Sequence, residues 1–157
     1  MRKSIFRTCA ILALALIGSQ TVLAQDAHSI VGSWDVNVTV TNCSTGAVIR
    51  TVRSIQMFSP DGPFTETANT FLRGSSLGSW DRTGGETYNA TYWFFRYTPT
   101  GTLASFAQAL DSVTLSDDGS TFTASGTIQD FDANNNLIST GCFTHSATRL
   151  TATPPEN

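Results

Sequence analysis

From Trp34 to Val40 (WDVNVTV) apolar and polar residues alternate without a break, so Trp34, Val36, Val38 and Val40 share one side of an extended chain. A period of two predicts a strand with one buried and one wet face. Comparable runs follow at Val48–Phe58, Phe64–Leu72, Leu77–Arg82, Thr87–Tyr97, Thr102–Leu115, Thr121–Phe131 and Leu137–Leu150, which predicts eight strands. Thr102–Leu115 (TLASFAQALDSVTL) contains helix-favouring Ala and Leu. It also carries Thr, Val and Ser and lies between two turn signals, so it reads as a long, bulged strand.

The breaks are short and made of residues that preset a turn or tolerate positive φ: SPDGP at 59–63, TGGE at 83–86, PTG at 99–101, SDDGS at 116–120 and DANNN at 132–136. Short connections pair neighbouring strands as hairpins in a meander. Eight strands in a meander form either an open sheet with two raw edges or a barrel, and closure removes the edges. The expected fold is therefore all-β, an eight-stranded antiparallel up-and-down β-barrel.

The chain divides into residues 1–24 as a signal peptide, 25–31 as an N-terminal arm, 32–151 as the barrel and 152–157 as a disordered tail. Arg2, Lys3 and Arg7 precede the apolar run AILALALI at 10–17, and Val22-Leu23-Ala24 offers a cleavage site before Gln25. The run is too short to span a bilayer, and Cys9 within it lacks a lipoprotein context. The expected location is periplasmic or extracellular. Asp26–Val31 reads as an irregular arm or a short turn of helix.

Processing leaves about 133 residues, one domain's worth, with six basic residues against twelve acidic ones, net −6. All six are arginines, without a basic cluster, which argues against nucleic acid and anionic lipid as partners. Two cysteines survive, Cys43 and Cys142, and an isolated pair in an oxidising compartment predicts a disulfide. It would tie the first strand region to the last. Placing Cys43 opposite Cys142 puts Trp34 beside Thr151 and Arg149 across from Val36, on the face that Trp34 occupies. His28 and His145 are too isolated to suggest a metal site, and no cofactor is called for.

Gly32-Ser33-Trp34 at the head of the first strand resembles the Gly-x-Trp motif of lipocalin-like (calycin) barrels. That resemblance implies an arginine from the end of the barrel stacked on the tryptophan, closing one mouth, and Arg149 matches it. The chain is also similar to uncharacterised exported bacterial proteins with the same GSW start. The shared features are Trp80 to Gly85, Phe94-Phe95-Arg96-Tyr97 and Asp132 to Cys142. A TDY-like motif and a long C-terminal helix are missing. The tryptophan ring of the biotin-binding relatives is not reproduced by Trp80 and Trp93.

The run Tyr92-Trp93-Phe94-Phe95-Arg96-Tyr97 puts rings on both faces of one strand. Inward rings either fill the core or line a cavity with Trp34, Val36, Val38, Val40 and Tyr88, since a barrel of this size accommodates either. Outward rings leave a homo-oligomer open. Arg96 shares the Tyr88–Tyr92–Phe94 parity, which places it inside or at the rim, where it would hold a carboxylate, or, as the Pro99 turn favours, exposed at the strand end. Asp81, Glu66 and Asp111 are either buried acids working as general acid or base or, as the cost of burying a charge without a partner favours, residues of the wet faces or the rim. His145 is expected to face inward. No nucleophile is set beside it, so no catalytic residue is assigned.

The expected function is binding of a small hydrophobic or amphipathic molecule in the barrel, with Trp34, Val36, Val38, Tyr88, Tyr92, Phe94 and Arg96 as the lining. The alternatives are an allene-oxide-cyclase-like or dirigent-like enzyme using Glu66, Arg96 and His145, and a structural surface module. A membrane barrel is disfavoured by polar outward faces and a polar, Pro-rich tail.

Overall fold

A computed structural model describes residues 29–152. The expected signal peptide, His28, most of the expected arm and all but the first residue of the expected tail lie outside them. Eight strands follow in chain order: β1 (Gly32–Thr41), β2 (Val48–Phe58), β3 (Pro63–Ala68), β4 (Ser76–Gly84), β5 (Thr87–Tyr97), β6 (Leu103–Leu115), β7 (Thr121–Phe131) and β8 (Leu137–Arg149). Each pairs antiparallel with its chain neighbour, and β1 pairs with β8, which closes the barrel. Thr102–Leu115 is strand nearly throughout, with a register shift between Arg96 and Tyr97 where β5 meets its start.

Inward and outward residues alternate as the period requires. On β6, Ala107, Ala109, Asp111, Val113 and Leu115 are buried, whereas Leu110, Ser112 and Thr114 are exposed. Turn chemistry matches geometry where it is most demanding: Asp61 and Asn135 take φ of 65° and 63°, left-handed values that Asp and Asn tolerate best among non-glycine residues.

The closing register differs from expectation by two residues. Trp34 lies opposite Arg149, and Val38 opposite His145. Cys43 sits in the turn after β1, beyond the last paired position, and reaches Cys142 at a Cα–Cα distance of 5.1 Å. An even shift preserves the faces, so Trp34 and Arg149 still meet. The 99-residue separation of the bridged cysteines corresponds to roughly 4–5 kcal/mol on a chain-entropy model.

The third strand also departs from expectation, ending at Ala68 instead of Leu72. Asn69 caps it by exchanging hydrogen bonds with the Arg53 backbone. The chain then crosses to β5: Tyr97 N donates to Leu72 O, Gly74 N donates to Phe95 O, and Arg73 bridges Arg96. The backbone groups that would have extended β3 are satisfied by β5, and Arg73 is carried over one mouth of the barrel.

The two ends are built differently. At the end where β1 begins, Trp34, Phe58, Phe64, Tyr88, Val113, Leu115 and Phe122 form a filled core. Phe122 meets Trp34 edge-on at 4.9 Å, and Phe58 meets Phe64 at 4.9 Å. Arg149 covers the Trp34 ring at 4.2 Å while donating to the carbonyls of Gly119, Val31 and Ser29. That end is shut by a cation over an indole, with the cation held by backbone oxygens. Among the described residues no helix is long and apolar enough to cross a membrane.

Candidate functional site

At the opposite end lies a cavity of about 40 Å³, room for roughly three waters. Val38, Val40, Val52, Phe94, Ile128 and Phe143 form its apolar wall. Arg50, Arg73, Arg96, Glu66, Tyr92 and His145 supply the polar groups. The rim carries exposed apolar side chains on all four hairpins of this end: Val48 and Ile49, Phe71, Leu103, and Leu137 with Ile138.

Two buried polar clusters lie at and below this cavity. In the first, Arg73 pairs with Glu66, and Ser76 Oγ accepts from Arg73 and donates to Glu66 Oε2 at 2.7 Å. The Arg73 guanidinium also lies 3.5 Å from the centroid of the Phe94 ring. Arg96 sits over the same ring at 5.0 Å and is held by Asp130, which accepts from Ser105 and Ser139 as well. Glu66 was expected on a wet face or at the rim and is instead buried, with Arg73 and Ser76 as its partners.

The second cluster joins three strands. Tyr92 OH points at Asp111 Oδ2 at 3.5 Å, and His145 Nδ1 is 3.4 Å from the same oxygen. Asp111 was likewise expected on a wet face or rim and is buried. Desolvation raises its carboxyl well above the usual range, with the Glu66 charge adding to the effect and the Tyr92 hydrogen bond opposing it, which favours the protonated form. Desolvation also lowers His145 to about 4, keeping the imidazole neutral, and Phe143 stacks on it at 4.8 Å. Burial holds the Tyr92 phenol up as well. Gly126 makes this packing possible: a Cβ there would lie 2.1 Å from Leu110 O and 2.6 Å from Phe143 Cζ.

The cluster has a pH signature. Between about 4 and 6.5 the unfolded chain carries a proton on His145 that the folded barrel lacks, so this contribution to stability is lost as pH falls. Asp111 opposes it, holding in the folded state a proton that the unfolded chain has lost above 3.8. The two groups therefore work against each other there. Asp111→Asn removes the opposing half, and its stability is expected to rise with pH there by up to ~1.4 kcal/mol per unit relative to the parent. Urea unfolding across the window measures this, and parallel profiles for parent and variant would refute a protonated, buried Asp111.

Beneath these groups, Gln56 is fully buried with no protein hydrogen-bond partner for either amide atom. Ser54 Oγ, Asp111 Oδ1 and both His145 nitrogens also have no hydrogen-bond partner among the described residues. The middle of the barrel thus offers donors and acceptors to a small polar group. No group of three or more His, Cys, Asp or Glu among the described residues is placed to hold a metal.

Of the expected lining residues, Val38, Tyr92, Phe94 and Arg96 border the cavity, and Val40 joins them. Trp34, Val36 and Tyr88 belong to the filled end. His145 faces inward, and Asp81 is exposed. Trp93 and Phe95 point outward, beside Leu77 on the adjacent strand. Arg50 and Arg73 were not anticipated. Arg50 was legible, since it shares the inward parity of Val52, Ser54 and Gln56. Arg73 carried no signal, because its position depends on the loop crossing to β5. Comparison with protein-family models, curated proteins and solved structures gives no match to this chain.

Proposed function

We propose that the chain is an exported, lipocalin-like binding protein that takes a small amphipathic molecule at the mouth between Val38 and Phe94. The observation that carries this reading is the asymmetry of the barrel. One end is packed and shut by Trp34 and Arg149, and the other holds a cavity with an apolar wall facing charged groups. The apolar rim favours approach of a molecule with an apolar body. The volume of the cavity limits what enters it to a short segment, with the rest of the ligand held at the rim.

A second reading draws on Glu66, Arg96 and His145 bordering one cavity, the polar set that an allene-oxide-cyclase-like or dirigent-like barrel enzyme would require. Against it, Glu66 is already engaged by Arg73 and Ser76. Binding is therefore the preferred reading, because it needs no free base.

Native mass spectrometry of protein exported into an oxidising compartment tests the proposal. The expected result is a polypeptide beginning at Gln25 with a ligand-sized excess mass that is lost on denaturation. A bare polypeptide mass, with no small amphiphile taken up when offered, would overturn it.

A further inference from the structure

We infer that the mouth holds an anionic head group between Arg50 and Arg96, so the ligand class is a small alkyl or aryl monocarboxylate whose apolar body lies against Val38, Val52 and Phe143. This inference rests on the binding proposal and adds the chemistry of the ligand to it.

Five of the six arginines in the described residues are committed. Arg53 pairs with Asp35, Arg73 with Glu66, Arg82 with Glu86 and Arg96 with Asp130, while Arg149 donates to three carbonyls. Arg50 has neither an ion pair nor a hydrogen bond among the described residues, yet it borders the cavity together with Arg73 and Arg96. Desolvation and the like charges of Arg96 and Arg73 lower its pKa, with Asp130 opposing. Asp130 accepts from Arg96, Ser105 and Ser139 and makes no hydrogen bond or ion pair with Arg50.

Arg96 is only partly used. Its Nε donates to Asp130, and its terminal amino groups make no hydrogen bond among the described residues. Three guanidinium groups against two carboxylates leave the mouth with one uncompensated positive charge. That excess matches a monoanion, and buried Glu66 at the cavity floor disfavours a dianion such as a phosphate monoester. A guanidinium with free donors suits the two oxygens of a carboxylate. The valines, Ile128 and Phe143 beside it require an apolar body.

The test uses the exported, disulfide-bonded protein with octanoate, octanol and octylamine as probes, titrated by calorimetry at neutral pH and low salt. Octanoate is expected to bind at least ~10-fold tighter than octanol, as expected for a hydrogen bond to a charged group. Arg50→Gln is expected to erase that preference, and Arg50→Lys to retain most of it. Arg50 is exposed, so both variants should unfold at the parent's urea midpoint. Equal affinity for octanoate and octanol, a preference for octylamine, or octanoate binding unchanged in Arg50→Gln would each overturn the anion site while leaving the binding proposal intact. Failure of all three probes to bind would overturn both.

Discussion

Replacing Arg73 by methionine is expected to lower the free energy of unfolding by about 3–5 kcal/mol, because it leaves Glu66 as a buried carboxylate without its cation. The Glu66 side chain is 1% exposed and that of Arg73 is 11% exposed, so solvent cannot replace the lost partner. Ser76 Oγ would remain as a single donor. The guanidinium also covers Phe94, and methionine restores part of that apolar contact. A double variant, Arg73→Met with Glu66→Leu, is expected to recover most of the loss, since removing both charges removes the desolvation cost of each. Glu66→Leu alone should be milder, because Arg73 lies nearer the mouth. Urea unfolding of the oxidised protein measures all three. A loss under about 1 kcal/mol for Arg73→Met would mean that water reaches Glu66.

Trp34→Ala is expected to cost a similar 3–5 kcal/mol, for a different reason. Trp34 is completely buried, its ring is met edge-on by Phe122, and its Nε1 donates to Ile30 O at 2.9 Å. Alanine leaves a cavity at the shut end and an unpaired Ile30 carbonyl, and it uncovers Arg149. Trp34→Phe keeps an aromatic ring and should lose less, about 1–3 kcal/mol, mostly from the hydrogen bond and the smaller ring. Equilibrium unfolding with the denaturant slope held in common is the readout. If Trp34→Ala cost no more than Trp34→Phe, the closed end would not be a packed floor.

Much of the fold was legible because β-structure writes its burial into alternate residues. The β1 pattern at Trp34, Val36 and Val38 and the β6 pattern at Ala107, Ala109 and Val113 report one face directly. The same parity placed His145 and Arg96 toward the cavity side without any knowledge of their partners. At Glu66 and Asp111 parity pointed inward, and the expectation failed because the cost of burying a charge argued for water. Both acids are inside, one because a loop brings an arginine to it, the other because it keeps its proton next to a neutral imidazole and a phenol. Neither compensation is local, since Asp111 and His145 are separated by a whole strand and two turns.

The sequence by itself determined the strand count, the faces, the turns, the cysteine pairing and the meeting of Trp34 with Arg149. Strand count, faces and turns are readable within one strand or one hairpin, and the cysteine pairing and the Trp34–Arg149 contact follow once β1 closes on β8 with an even register. Only the tertiary structure decided that one end is filled and the other hollow, and that β3 stops early so that Arg73 crosses to Glu66 and Phe94. It also decided that Arg50 is left as the uncompensated cation. The physical reason is that parity says which way a side chain points but not how far up the barrel it sits or what it meets there. Those contacts follow from the stagger of eight strands closing on themselves and from one loop whose backbone hydrogen bonds are better satisfied by β5 than by β2.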